Sequence, residues 1–349
     1  MARSAKTFAV IAGIIVAAIA ITIAVTAVAS LPNPAEPKSE LRIAVVTDAL
    51  FTDKGWGESS LNAAKFIESK YGFEVATEDN VSIADIDSTL KRYAQEGYDL
   101  IIAHGVQWGD PALRVGEQHP DVRIVVFTGL VWSENVASIF PQQQQGSFLL
   151  GALAGMMTET DVIGYVGGEE YPNVVNIFEG YKQGAKAANP DVEIVGTYLN
   201  DWDNAAKGKE AATSIIRQNV DVIFHVADSS GQGVIESARQ NGVYALGAVQ
   251  DQNSLAPDTV LSSFVLDVDK AYSQAVNATL EGSPKGEISK PGIEAEKGAA
   301  GNGIVYLASF HDLDSRVPAS VQSRLQELTN DLLNGKIVVP ERFEETSPA

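Results

Sequence analysis

The sequence contains no cysteine. That excludes a disulfide framework, a thiolate zinc site, a cysteine nucleophile and a lipid-modified N-terminal cysteine. Its four histidines (His104, His119, His225 and His311) lie far apart and show no metal-ligand spacing. No metal and no other cofactor is expected. Positive charge is scarce: 25 Lys and Arg stand against 45 Asp and Glu, a formal net charge of -20. A nucleic-acid or anionic-membrane surface needs a basic face, so the globular part is expected to bind neither. No G-x-S-x-G nucleophile elbow, no P-loop pattern and no G-x-G-x-x-G occur. Charged residues make up 20 % and hydrophobic ones 45 %, a globular rather than a disordered balance.

What is present begins with one long apolar run. After "MARSAK", with Arg3 and Lys6 positive, residues 7–29 carry no charge. That matches the roughly 20 residues that span a bilayer as a helix. "AVA" at 27–29 offers a small-residue cleavage site, yet the run exceeds the about 7–15 residues of a signal core. Residues 1–30 are therefore read as a signal or a membrane anchor. The basic N-terminal flank predicts export of everything after it. Residues 31–40, "LPNPAEPKSE", form a proline-rich spacer. The expected picture is a globular body outside the cell membrane, tethered by its N-terminal helix or released by cleavage.

From Leu41 onward, apolar strands such as "LRIAVVTD", "YDLIIAHG", "VRIVVFTG" and "VDVIFHVAD" alternate with amphipathic helices. This pattern predicts an α/β fold of parallel sheets covered on both faces. Two such series suggest two similar lobes with a cleft between them. The expected partition is 41–138 with 253–284 in the first lobe, 139–252 with 303–349 in the second, and a loop at 285–302.

No catalytic constellation stands out, and the chemistry-bearing residues gather at strand ends. Trp56 in "DKGWGE" and Trp202 in "NDWDNAAKGKE" each sit in a polar loop before a helix, and are expected in matching places of the two series. Indole planes beside carboxylates suit a flat ligand that carries hydrogen-bond donors; packing of each loop is the alternative use. Trp108 is a third cleft candidate, while Trp132 reads as structural. Asp48, Asp53, Asp228 and Asp251 also fall at or just beyond strand ends, where a carboxylate either contacts ligand or caps the next helix. "DSSGQGV", 228–234, opens a helix whose N–H groups hold either a capping serine or a ligand. "QQQQG", 142–146, reads as an N-terminal turn.

The segments "DKGWGESSLNAAK", "HPDVRIVVFTG", "QQGSFLLGALAGMMTETDVIGYVGG" and "DVIFHVADSSGQGVIESARQNGVYALGAVQDQ", in that order, resemble the basic-membrane-protein family of solute-binding proteins for ABC importers, which includes purine nucleoside receptors. The resemblance spans nearly all of residues 41–335. It implies the type I periplasmic-binding-protein fold, with two lobes joined by three crossovers that close on a small ligand. It also implies delivery to an ABC permease and no enzymatic activity. In the family's nucleoside receptors the first loop reads Asp-Lys-Ser-Phe-Asn; the matching residues are Asp53, Lys54, Gly55, Trp56 and Gly57. The resemblance therefore assigns stacking to Trp56 and, through the spacing to "AKGKE", to Trp202. It assigns a ribose contact to Asp251, while Val249 and Leu266 replace a family Asp and Lys. A nucleobase-binding branch has Gly-Trp in the first loop and an Asp where Asp228 stands. Gly105 and Gly231 complete the candidate contacts. The expected ligand is a purine nucleoside or nucleobase. The rival readings are a sensory ectodomain, a binder of sugar or another small molecule, and a nucleoside hydrolase; the last lacks an Asp-rich run near the first strand.

Overall fold

The computed structural model describes residues 40–282 and 286–341. The N-terminal apolar run and the spacer up to residue 39 lie outside them. Among the described residues no helix is long and apolar enough to cross a membrane.

The chain alternates as its apolar pattern dictates. It runs β1 (Ile43–Thr47), α1 (Trp56–Tyr71), β2 (Val75–Glu78), α2 (Ile86–Gln95), β3 (Leu100–His104), α3 (Gly109–Gln118), β4 (Arg123–Phe127) and β5 (Val136–Ile139). There follow α4 (Gln143–Met157), β6 (Val162–Gly167), α5 (Pro172–Ala188), β7 (Glu193–Tyr198), α6 (Ala205–Ile216), β8 (Val222–Val226), α7 (Asp228–Asn241), β9 (Tyr244–Val249) and β10 (Val260–Leu266). The chain then adds α8 (Val268–Leu280), β11 (Ile288–Ser289), β12 (Val305–Leu307) and α9 (Ala319–Leu333). Every residue of β1, β3 and β8 is buried. Successive side chains of β1 enter opposite cores: Ile43 and Val45 one, Ala44 and Val46 the other. Each fully buried branched side chain contributes roughly 1.5–3 kcal/mol of transfer free energy. That is why these strands are central.

Two sheets result. The first is ordered β11-β5-β4-β3-β1-β2 and the second β12-β10-β9-β8-β6-β7. All pairings are parallel except β10 with β12. In each sheet the strand order reverses beside the lobe's first strand, between β1 and β3 and between β6 and β8. In open α/β sheets that reversal opens a crevice at the carboxyl ends of the strands.

The sheets correct the expected partition. β10 pairs in parallel with β9 from Val260 to Val265, with one register shift between Val260 and Ser262, so residues 260–266 belong to the second sheet. The chain returns to the first lobe only with α8, where Lys70 and Tyr71 of α1 hydrogen-bond to Ser273 and Asn277. The presumed loop 285–302 contains β11, which pairs with β5 in the first sheet. The chain thus crosses between the lobes after β5, after β10 and after β11.

Candidate functional site

A cavity of about 130 Å³ lies where the carboxyl ends of the two sheets meet. The first lobe lines it with Asp48, Asp53, Trp56, Gly105 and Thr128, and the second with Gln143, Tyr171, Asn173, Trp202, Asp203, Asp228 and Val249. Four of these sit at strand ends: Asp48 directly after β1, Gly105 after β3, Thr128 after β4 and Asp228 shortly after β8.

Asp53 builds the Trp56 loop. Its carboxylate accepts the backbone N–H groups of Gly55 (2.8 Å), Gly57 (2.6 Å) and Glu58 (3.1 Å). Those are orphan donors of the first turn of α1, so the carboxylate caps that helix. Trp56 is its first residue. The indole rests on the His104 ring at 3.9 Å between centroids, and His104 stacks on Phe127 at 4.9 Å. His104 Nδ1 meets the Tyr272 hydroxyl at 2.8 Å. Burial lowers the His104 pKa to about 3, so the ring beneath the indole is neutral at physiological pH.

In the second lobe the Trp202 indole lies against the backbone of Gly168, where any Cβ would overlap the ring. Tyr171 approaches it at 6.0 Å between centroids. Asp48 is held by the side-chain amide of Gln107 and by the indole N–H of Trp108 at 3.3 Å. Burial raises the pKa of Asp48 and of Asp53, and burial then the neighbouring carboxylates raise Asp228 well above the usual carboxylate range.

Backbone strain gathers here. Thr128 (φ 65°) and Val249 (φ 69°) are β-branched residues in the left-handed region, and Asp228 (φ 43°) shares it. Such conformations cost of order 1–3 kcal/mol each and persist where surrounding structure over-determines them. All three line the cavity.

Three glutamines of the second lobe clasp the Trp56 loop across the cleft. Gln232 donates to the Asp53 carbonyl (3.1 Å), Gln252 to that of Lys54 (3.1 Å) and Gln250 to that of Gly55 (2.8 Å). The lobes are therefore in direct contact beside the cavity.

The family model for ABC transporter substrate-binding proteins of the Bmp, PnrA-like type matches residues 40–341. The chain belongs to this family. It is similar to basic membrane protein A of Borreliella burgdorferi, 28 % identical over 315 residues that cover 87 % of this chain and 88 % of that one. It is also similar to a purine-binding protein of Brucella abortus, 27 % identical over 310 residues covering 88 % and 85 % respectively. A solute-binding protein of an ABC transporter system from Aeropyrum pernix superposes with a TM-score of 0.78 at 21 % identity, covering 86 % of this chain and 94 % of that one. Family and fold are those of extracytoplasmic substrate-binding proteins, not of enzymes.

Within this Bmp fold, six of the ten candidate residues line the one cavity: Asp48, Asp53, Trp56, Gly105, Trp202 and Asp228. Four do not. Trp108 is fully buried in the first-lobe core and acts through its N–H on Asp48. Lys54 reaches solvent and pairs with Glu58 at 2.9 Å. Gly231 lies inside α7, packed against the His225 ring. Asp251 accepts from Asn253 N–H (3.1 Å) and contacts His311 Nε2 (2.6 Å) beside a separate depression that it shares with Leu266 and Tyr306.

Nor do the two tryptophans match in position. Trp56 follows β1 and Trp202 follows β7, the edge strand; the second-lobe loop that matches Trp56 carries Tyr171 and Asn173. These two and Gln143 were missed. "EEYPN" does follow a strand directly, which was the available signal. Gln143 gave none, because its position depends on how α4 enters the second lobe.

Proposed function

We propose that this protein captures a purine-type ligand, a nucleobase or nucleoside, between Trp56 and Trp202 and delivers it to an ABC permease. The observation that carries this reading is the convergence of two indoles and several carboxylates on one cavity at the lobe junction. Stacked rings supply affinity and carboxylates set orientation. The similarity to a purine-binding relative supports the ligand class. Apolar Val249 and Leu266, and the distance of Asp251 from the cavity lining, favour the base over the nucleoside, since the segment assigned to ribose offers it little. Binding proceeds by closure of the lobes on their three crossovers. Residues 1–30 would tether the protein to the outer face of the cell membrane.

A thermal-shift screen of nucleobases, nucleosides, sugars and amino acids tests this. A binder at a hundredfold excess over its Kd stabilises the folded state by about 2.7 kcal/mol, so purines are expected to raise the melting temperature by several degrees. Trp56→Ala and Trp202→Ala are each expected to weaken binding at least tenfold while the unliganded protein stays folded. A response to sugars with none to any purine would refute the assignment.

A further inference from the structure

Four carboxylates border the cavity (Asp48, Asp53, Asp203 and Asp228), and its lining contains no lysine or arginine. Two of the four are committed elsewhere. Asp53 is spent on the first turn of α1, and Asp48 is held by Gln107 and Trp108. Asp228 stands against the Gly55 backbone, with its Oδ1 at 3.5 Å from where a Cβ of that residue would lie. Asp203 is at the exposed mouth, and among the described residues it has no cation partner.

A second observation is independent of charge. Gln143, in the first turn of α4, is only 4 % exposed, and its side-chain N–H group has no hydrogen-bond partner. It lines the same cavity. A buried amide donor without an acceptor is costly; a ligand acceptor satisfies it. On the same wall the buried Asn173 Oδ1 lacks a donor. The unmet groups thus ask for one acceptor and several donors, on a flat ring that fits beside indoles.

We infer that the cavity selects amino-substituted purines, whose exocyclic amine and ring N–H donate to Asp203 and Asn173 while one ring acceptor takes the free Gln143 N–H. This rests on the purine reading above and narrows it. Adenine and guanine carry that amine. Hypoxanthine has a carbonyl oxygen where adenine has its amine and only a hydrogen where guanine has its amine, and xanthine has carbonyl oxygens at both places; neither offers an amine to Asp203, which can only accept when ionised. Nucleotides are excluded more strongly, because a phosphate would enter an acidic lining that offers no cation to pair it.

Isothermal titration of the full-length chain in detergent with adenine, guanine, hypoxanthine, xanthine and AMP tests the inference. At least one of the two amine-bearing bases is expected to bind ten or more times more tightly than hypoxanthine or xanthine, and AMP not measurably. Asp203→Asn is expected to reduce that preference several-fold. Gln143→Leu, which keeps the side-chain size, is expected to weaken binding of all purines about tenfold without lowering the melting temperature of the unliganded protein. Hypoxanthine or xanthine binding as tightly as adenine and guanine would overturn the inference and leave the purine reading standing. So would a preference unchanged in Asp203→Asn, or purine affinity unchanged in Gln143→Leu. Failure of every purine, with binding of a polyamine instead, would overturn both.

Discussion

Asp53 decides where the Trp56 ring stands. A tryptophan between two glycines has little of its own to hold it, and the carboxylate of Asp53, just ahead of it in the chain, gathers Gly55, Gly57 and Glu58 N–H into one cap. Asp53→Ala is therefore expected to lower folding stability by about 1–2 kcal/mol, the upper range for a lost cap, and to weaken ligand binding as well because the indole loses its seat. Urea unfolding and titration calorimetry read the two effects separately; a variant with normal affinity would show that the His104 stack alone positions the ring. Much at this scale was legible in the sequence. Trp56, Trp202 and the strand-end carboxylates were identifiable because aromatic and acidic residues in a strand-to-helix loop have few local uses. Trp108 was not, since the same local pattern, a tryptophan after a strand, folds inward under α3 and reaches the site only through Asp48.

At the scale of elements, close helix crossings rest on glycine. In α4 and α5, a Cβ at Gly151 would overlap the Tyr181 carbonyl and one at Gly184 the Phe148 carbonyl. In α6 and α7, Gly208 and Gly233 stand in the same relation to Ser230 and Ala205. These pairs bring backbones together and fix how α4, with Gln143, and α7, with Asp228, aim at the cavity. Gly184→Ala is expected to cost about 3 kcal/mol or more, beyond ordinary overpacking, because backbone rather than a side-chain tip must move. Gly72→Ala, at the C-terminus of α1 with φ 75° and open space around it, is expected to cost only about 1 kcal/mol. Chemical denaturation of the two variants compares them, and equal costs would contradict the close-crossing account. The sequence shows Gly72 as a helix stop, but the glycines inside α4–α7 look like weak helix formers until their neighbours are known.

At the scale of the whole molecule, the glutamine clasp joins the lobes beside the cavity. Gln252 is buried and also accepts from Ala248 N–H, so it supports β9 as well as the clasp. Gln232 and Gln250 are the cleaner probes. Each bond contributes about 1 kcal/mol net, so the double variant Gln232→Ala, Gln250→Ala is expected to shift the unliganded protein toward an open form and to weaken binding about tenfold. Small-angle scattering should report a larger radius of gyration before ligand is added and the same value after saturation. An unchanged radius in the unliganded variant would mean that the crossovers, not the clasp, hold the lobes together.

The sequence by itself determined the class of fold, the family and the kind of residue that lines the cavity. Hydrophobic period and strand-to-helix turns are local properties, readable along the chain. Only the tertiary structure decided that β10 belongs to the second sheet, that Tyr171 rather than Trp202 matches Trp56, and that Gln143 and Asn173 join the cavity while Asp251 leaves it. Those outcomes depend on strand pairing and helix crossing between residues far apart in the chain. Continuous apolar strands fit either sheet equally well by pattern alone, and hydrogen-bond register chooses between them.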